Sequence, residues 1–266
     1  MRGVGFGESR QNSHSSLLGV GVVQVRIVLV EPQGSRNVGS VARVMKNMGL
    51  SELVLVRPRC DPKDTEAWQM AVHGAPVLEQ AVSVDTLAEA LADCQRTLGT
   101  LGRTQNTPPE WQIGDPRQVM PWLLAGERGA MVFGPEDRGL SNAELAQCQR
   151  QIRIPTHPDY PSLNVAQAVG ICVYELWLAQ QGSRTLSSPS LTHAQQEGFF
   201  QHLEDFLLQI GYLQPQTARR KMQKFRALLH RAQPTPSELA LLRGILRQWQ
   251  WYTQTLPLET EKRGDP

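Results

Sequence analysis

The sequence is poor in cysteine, and the spacing of its four cysteines excludes the common cysteine-based sites. Cys60, Cys94, Cys148 and Cys172 are scattered along the chain, so there is no CxxC zinc or redox motif. The six histidines show no HExxH or other metal-ligand spacing. The sequence therefore predicts no metal site, and sparse cysteine favours a reducing cytoplasm.

The chain also lacks a strong net charge and a long apolar run. Its 27 Lys and Arg residues nearly balance 25 Asp and Glu residues, so any basic patch for nucleic acid must be local. No stretch approaches the roughly 20 apolar residues of a membrane span, and we expect no membrane partner. With 266 residues, 40% of them hydrophobic, the sequence predicts one large domain and a smaller one.

Two phosphate-binding motifs are missing as well. No GxxxxGK[ST] is present, and no GxGxxG follows the first predicted strand, which argues against P-loop ATPases, kinases and dehydrogenases. The early "GVGFG" lies within residues 1–23, which are rich in Gly and Ser and lack periodicity. We expect residues 1–23 to form a disordered tail.

Short apolar segments alternate with helical patterns between residues 24 and 181. This alternation predicts an α/β fold with a mostly parallel sheet covered by helices on both faces. The predicted strands are 24–30, 53–56, 96–100, 130–134 and 151–154, and the predicted helices are 38–49, 64–73, 85–94, 116–125, 141–148 and 163–180. Three Ser/Thr-x-x-Glu sequences have capping-box spacing, beginning at Thr86, Ser141 and Thr235.

The C-terminal part has a different pattern. Residues 182–191 form a polar Ser/Gly-rich linker, and three helices follow near 192–211, 215–232 and 236–252. We expect a small all-α domain over 192–254 and a frayed tail over 255–266.

The candidate site lies in the loops after four strands, because open parallel sheets bind ligands at the carboxyl ends of their strands. Taken singly, the polar residues there have structural explanations. Asn37 would cap a helix through the amide of Ser40, Gly39 would start that helix, Arg43 would be solvated, and Ser162 would cap the long helix. By the same reasoning His157 and Tyr160 are loop fillers.

Taken together, three stretches resemble the motifs of the SpoU branch of the SPOUT RNA methyltransferases. They are "NVGSVAR" (37–43), "MVFGPEDRGL" (131–140) and "IPTHPDYPSLNVAQAV" (154–169), in the family's order. The resemblance covers residues 24 to about 181. The helical extension, including "ELALLRGILR" (238–247), is similar to that of the members that methylate cytidine or uridine at nucleotide 32 of the tRNA anticodon loop.

The resemblance implies a fold, a cofactor and a set of site residues. The fold would include a deep trefoil knot in the C-terminal part of the sheet, in a cytoplasmic homodimer. S-adenosylmethionine would donate a methyl group to a ribose 2′-hydroxyl. The implied catalytic residues are Asn37, Arg43, Glu136, Ser162 and Asn164, and the implied cofactor-binding residues are Thr100, Leu101, Gly102, Gly134, Ile154, Ser162 and Leu163.

Chemistry refines two of these roles. An arginine is effectively always protonated, so we expect Arg43 to stabilise the developing alkoxide rather than to act as a base. The proton would then pass to a phosphate oxygen, to Ser162 or to water. We expect Glu136 to pair with Asn37 or Arg43 and to position the site.

Partner contacts are predicted from two helices. The segment "ARRKMQKFRALLHRA" (218–232) places Met222, Phe225, Leu228 and Leu229 on one helix face and basic residues on another. The basic face either binds an RNA backbone or is a solvated face of an amphipathic helix. The candidate RNA contacts are Arg103, Arg219, Arg220, Lys224 and Arg231. The stripe Val169, Val173 and Trp177 on the long helix is either a dimer contact or core.

Three alternatives remain open at this point. The same chemistry on ribosomal RNA is one, since the motifs do not encode the target. A catalytically inactive RNA-binding protein with this fold is the second, and an enzyme for small nucleotides is the third.

Overall fold

The computed structural model describes residues 23–102, 107–182 and 191–255. The two predicted tails and the predicted linker lie almost entirely outside these ranges. Within them, a seven-stranded sheet is followed by three long C-terminal helices.

All the strand pairs of the sheet are parallel, which confirms the predicted α/β class. The strand order is β3-β2-β1-β6-β4-β7-β5. The strands are β1 Gln24–Val30, β2 Leu53–Val56, β3 Val82–Val84, β4 Arg96–Leu101, β5 Ile113–Gly114, β6 Arg128–Phe133 and β7 Arg150–Arg153. The two edge strands, β3 and β5, were not predicted, because two or three residues are too few to show a period.

Ten α-helices connect and follow these strands. They are α1 Ser35–Asn47, α2 Thr65–Ala71, α3 Ala75–Glu79, α4 Leu87–Leu91, α5 Pro116–Leu123, α6 Asn142–Leu145, α7 Val165–Gly182, α8 His193–Gln209, α9 Pro215–Ala232 and α10 Pro236–Thr255, among the described residues, with a 3₁₀ turn at Val72–Gly74. None of the described helices is long and apolar enough to cross a membrane.

The sheet is buried on both faces, which explains its continuous apolar strands. Ile27 and Leu29 of β1 point into the cluster formed with α1, α5 and α7. Val28 and Val30 point to the other face, into the cluster formed with α4 and α6. Strands that contribute side chains to both layers hold the carboxyl-end loops at fixed positions.

Gly39 serves helix packing rather than the turn. Helix α1 begins at Ser35, three residues earlier than predicted, so Gly39 lies inside it. A Cβ at Gly39 would be 2.1 Å from the carbonyl oxygen of Ala67, and one at Gly74 would be 2.7 Å from the backbone of Arg43. These two glycines let α2 and the following 3₁₀ turn lie directly on α1, which corrects the helix-start interpretation.

The predicted capping boxes are largely confirmed. Ser141 with Glu144 forms a complete box, with the Glu144 carboxylate 2.6 Å from the Ser141 amide. The Glu238 carboxylate likewise lies 2.7 Å from the Thr235 amide. Thr86 caps α4 by accepting from the Glu89 amide. The Glu89 carboxylate accepts from the amide of Asp85 and not, as in a complete capping box, from the amide of Thr86.

The C-terminal helices form their own core and contact the rest of the chain at the start of α8. The amides of His193 and Ala194 donate to the carbonyls of Cys94 and Ala92, at 2.7 and 3.0 Å. Phe199, Phe200 and Met222 are buried in the helical core. Leu228 was predicted on this apolar face but is exposed.

His230 is buried inside this helical core. Its ring packs edge-on against Phe200 at 5.8 Å. Burial lowers the pKa of His230 to about 3, and the nearby Arg226 and His193 act in the same direction. Burial also lowers the pKa of His193. His230 is therefore neutral in the folded protein at neutral pH.

Replacing Gly39 with Ala should destabilise the protein by about 1–3 kcal/mol, because the methyl group overlaps the Ala67 carbonyl. Urea unfolding measures this change. Gly170→Ala in α7 is the matched control, since its Cβ would meet only Val44, at 3.8 Å. Equal stability of the two variants would contradict the packing role of Gly39.

The free energy of unfolding should fall as the pH drops from about 6.5 towards 3. In that interval the unfolded chain binds a proton at His230 that the folded protein excludes. At pH 5 this amounts to roughly 2 kcal/mol relative to pH 7. Denaturant titrations at several pH values test it. His230→Gln should reduce the dependence and leave the smaller part that His193 contributes, whereas the exposed His73→Gln is the control.

Candidate functional site

One chain of hydrogen bonds joins the loops after β1, β6 and β7. Glu136 accepts from the Asn37 side-chain amide at 2.8 Å and from the amides of Gln33 and Gly34 at 3.0 and 3.3 Å. The Asn37 oxygen in turn accepts from the Asn164 side chain at 2.9 Å. Residues far apart in sequence thus meet at one edge of the sheet, and the predicted pairing of Glu136 with Asn37 is confirmed.

Neither predicted helix cap is correct. Gly34 is the N-cap of α1, and Asn37 lies in the first turn with its side chain directed to Glu136 and Asn164. At α7, the Asn164 oxygen accepts from the Ala166 amide at 2.9 Å, so Asn164 rather than Ser162 caps the helix. Asn164 therefore both caps α7 and binds Asn37 in the first turn of α1.

Arg43 and Ser162 are exposed and unpaired. Among the described residues, neither forms a hydrogen bond or an ion pair. Arg43 lies on α1 six positions after Asn37, and Ser162 lies two positions before Asn164. Within one chain Glu136 does not pair with Arg43, which leaves the donors of the guanidinium available to a ligand.

The predicted cofactor residues surround the carboxyl ends of neighbouring strands β6, β4 and β7. Leu101, Ile154 and Leu163 are half-buried. The Thr100 hydroxyl donates to the Val132 carbonyl at 3.0 Å, which ties β4 to β6 and occupies its proton. Contacts with a ligand here would therefore come from main-chain groups and apolar side chains.

Position 134 requires glycine because another part of the same loop packs against it. A Cβ there would be 2.2 Å from the carbonyl carbon of Gly139, which has φ of 67°. The loop after β6 thus folds back on itself tightly. Gly102 is different, since a Cβ there would meet no described atom within 4 Å. The described contacts therefore account for Gly134 but not for Gly102.

An arginine cluster beside the site was missed from the sequence. Glu31 is buried, has φ of 47°, and accepts from Arg57 at 2.8 Å, from Arg59, and from Arg138 at 3.4 Å. Arg138 also binds Glu144 through two hydrogen bonds, which raises the pKa of Arg138. Arg57, Arg59 and Arg138 follow the ends of strands that flank β1, but this adjacency is given by the sheet topology and not by the sequence.

Four of the five predicted RNA-binding residues lie on the C-terminal helix α9. Arg219, Arg220, Lys224 and Arg231 are exposed on α9, and Arg103 lies outside the described residues. Arg226 is instead paired with Glu197 and packed over the Phe200 ring. In the part of the chain that the structure describes, no three His, Cys, Asp or Glu side chains are grouped to hold a metal ion.

Comparisons with known proteins agree on one family. Residues 24–174 match the family model of the SpoU rRNA methylases, and residues 194–261 match that of the C-terminal domain of the tRNA methyltransferase TrmJ.

The relatives are similar over most of their length. The tRNA (cytidine/uridine/adenosine-2′-O-)-methyltransferase TrmJ of Pseudomonas aeruginosa is 39% identical over 85% of this chain and 94% of its own. The tRNA (cytidine/uridine-2′-O-)-methyltransferase TrmJ of Klebsiella pneumoniae is 40% identical over 84% and 94%. The crystal structure of TrmJ from Z. mobilis ZM4 superposes with a TM-score of 0.76 at 32% identity, covering 85% of this chain and 98% of that one.

Replacing Glu136 with Gln should loosen the contact between the loops. One carboxylate oxygen becomes an NH₂ group that faces the donors of Gln33, Gly34 or Asn37, at a cost of about 1–3 kcal/mol. Hydrogen exchange at the Gln33 and Gly34 amides should accelerate. Glu66→Gln, on the exposed side of α2, is the control. Unchanged protection of both amides would contradict this account.

Proposed function

Because this chain belongs to the SpoU methylase family and, within it, to the TrmJ group of RNA ribose methyltransferases, we propose that it transfers a methyl group from S-adenosylmethionine to a 2′-hydroxyl in the tRNA anticodon loop. The observation that carries this proposal is the hydrogen-bond chain Glu136–Asn37–Asn164, with the unpaired Arg43 on the same helix as Asn37. The chain holds the three motif loops in contact, as a shared site requires.

The residues at the strand ends fit S-adenosylmethionine. Leu101, Ile154 and Leu163 offer half-buried apolar surface on neighbouring loops, and the main chain of Thr100–Gly102 and of Gly134 offers polar groups beside it. An apolar lining with a few polar groups suits an adenosine moiety. When bound, the cofactor supplies a methyl group on a sulfonium, which is already a good electrophile.

Arg43 is the residue proposed to meet the ribose. A 2′-hydroxyl is a poor nucleophile, so its oxygen must be stabilised as negative charge develops on it. The guanidinium can donate to that oxygen and, with its second edge, to an adjacent phosphate. It has no competing partner among the described residues, so both edges are free for these contacts.

The other motif residues position this arrangement. Glu136 and Asn164 fix the Asn37 side chain and hence the start of α1, and Arg43 lies on the same helix six residues, about 1.7 turns, after Asn37. Ser162 has an unpaired hydroxyl and can relay the proton that leaves the ribose, by accepting it while it gives its own proton to water or to a phosphate oxygen. A phosphate oxygen or water are the other acceptors.

The proposed target is cytidine or uridine at nucleotide 32 of tRNA. The 39–40% identity over nearly the whole length of tRNA methyltransferases supports tRNA. Methylation of ribosomal RNA is the alternative, since the matching family model is described for rRNA methylases. The exposed face of α9, with Arg219, Arg220, Lys224 and Arg231, is proposed to contact the RNA backbone.

We further propose a cytoplasmic homodimer with a trefoil knot. Helix α7 exposes Ile171, Tyr174, Trp177 and Leu178, an apolar surface that a second copy would cover. Strand β6 inserts between β1 and β4, and β7 inserts between β4 and β5, which supports a threaded chain path. Residues 24–181 would form the methyltransferase unit and residues 192–254 a helical unit.

Changing Arg43 should abolish most of the methyl transfer. Loss of one donor to a developing oxyanion typically lowers turnover by about 10²–10³-fold, so Arg43→Ala should lose at least that much. Arg43→Lys keeps the charge but not the two-edged guanidinium and should also be severely impaired. Transfer of labelled methyl to bulk tRNA, with the modified nucleotide mapped, measures both. Lys46→Ala, exposed on the same helix, is the control.

The outcomes separate the parts of the proposal. Wild-type turnover in Arg43→Lys would reject the role of the guanidinium geometry. Methylation confined to ribosomal RNA would reject the tRNA target and keep the chemistry. Cofactor binding without transfer to any RNA would point to the inactive RNA-binding alternative.

A further inference from the structure

Tyr160 is the most exposed large hydrophobic side chain among the described residues, with 79% of its surface accessible. A tyrosine that filled its loop would be buried against it, so the loop-filler interpretation is wrong for this residue. Burial of such a ring by a ligand is favourable, and exposed aromatic groups mark binding surfaces. None of the roles proposed above uses this ring.

The loop presents Tyr160 on a stiff backbone. The Tyr160 amide donates to the His157 carbonyl at 3.1 Å, which closes a turn with Pro158 at its second position. Pro161 follows and restricts Tyr160 to extended conformations. The Thr156 hydroxyl donates to the Pro161 carbonyl at 3.3 Å, across the base of the turn. A side chain held in this way loses little backbone freedom when it binds.

Tyr160 is also close to the proposed reaction site. Asn164 follows it by four residues and is bonded to Asn37 of the α1 loop. Four residues span at most about 14 Å, so Tyr160 lies within about 14 Å of Asn164. Ser162, whose hydroxyl is unpaired, lies between them.

We propose that Tyr160 stacks on an unpaired RNA base at or beside the nucleotide that is methylated, and so positions its ribose at Arg43. The inference rests on the proposed function, which supplies single-stranded RNA as the ligand. Proteins recognise unpaired RNA by stacking splayed bases on aromatic side chains. Stacking depends little on base identity, which suits an acceptor that is either cytidine or uridine.

The first test separates binding from chemistry. Tyr160→Ala should raise the KM for tRNA roughly 5- to 100-fold, the range expected for loss of one base stack, with cofactor affinity and thermal stability unchanged. Tyr160→Phe and Tyr160→Trp should restore the KM, because they keep an aromatic face. Tyr252→Ala is the control for an exposed tyrosine, since Tyr252 is 56% accessible and lies on α10.

The second test asks whether the ring contacts a base. Abasic nucleotides, which keep the 2′-hydroxyl, are placed one at a time through the loop of an anticodon stem-loop substrate. At one position the wild-type enzyme should lose the same factor as Tyr160→Ala, and the two changes together should lose no more. Additive losses at every position would overturn the proposal.

Three further results have defined meanings. An unchanged KM in Tyr160→Ala, with wild-type methylation of tRNA intact, overturns only the stacking role. If Tyr160→Ala loses activity because the oligomer dissociates, as sedimentation would show by a lower mass, then Tyr160 belongs to a subunit contact. That result also overturns the stacking role. Failure of the wild-type enzyme to bind or methylate tRNA overturns the proposed function and this inference together.

Discussion

The candidate site depends on one carboxylate that binds three donors. Glu136 accepts hydrogen bonds from the amides of Gln33 and Gly34 and from the side chain of Asn37. The Asn37 side chain in turn accepts from Asn164. These groups come from the loops after β1, β6 and β7 and from the first turn of α1, so the bonds fix these segments relative to one another. Since the bonds involve an ionised acceptor, they are stronger than neutral ones. The chemistry of the site is therefore arranged by a residue that need not take part in it.

A second set of ion pairs holds the other side of the same edge. Glu31 adopts a left-handed backbone conformation directly after β1 and receives guanidinium groups from the loops after β2 and β6. A buried carboxylate requires such partners, and a strained backbone persists only where its surroundings fix it. Glu31 and Glu136 together tie the loop after β1 to its neighbours on either side. Arg43, by contrast, is left free to bind.

The sequence predicted the elements that are long or strongly patterned, and it failed where a single residue has a three-dimensional role. The five longer strands, the long helices and the caps at Ser141 and Thr235 follow from local pattern. The role of Gly39 could not be predicted, because it depends on the carbonyl of Ala67 on another helix. Pairing of Glu136 with Asn37 was expected from family resemblance. The cluster at Glu31 was missed because it requires β2 and β6 to lie on either side of β1, and the order of strands in a sheet cannot be predicted from local sequence pattern.

The position of β6 between β1 and β4 has a consequence for biosynthesis. Strand β1 begins at Gln24, yet one of its edges stays unpaired until Arg128–Phe133 has been made. At roughly 5–20 residues per second, that interval lasts on the order of 5–20 s. During it, the nascent chain carries an apolar strand with an open edge, the feature from which aggregation starts. The centre of the sheet, which is its most buried part when complete, can thus form only after β1 to β5 have all been synthesised.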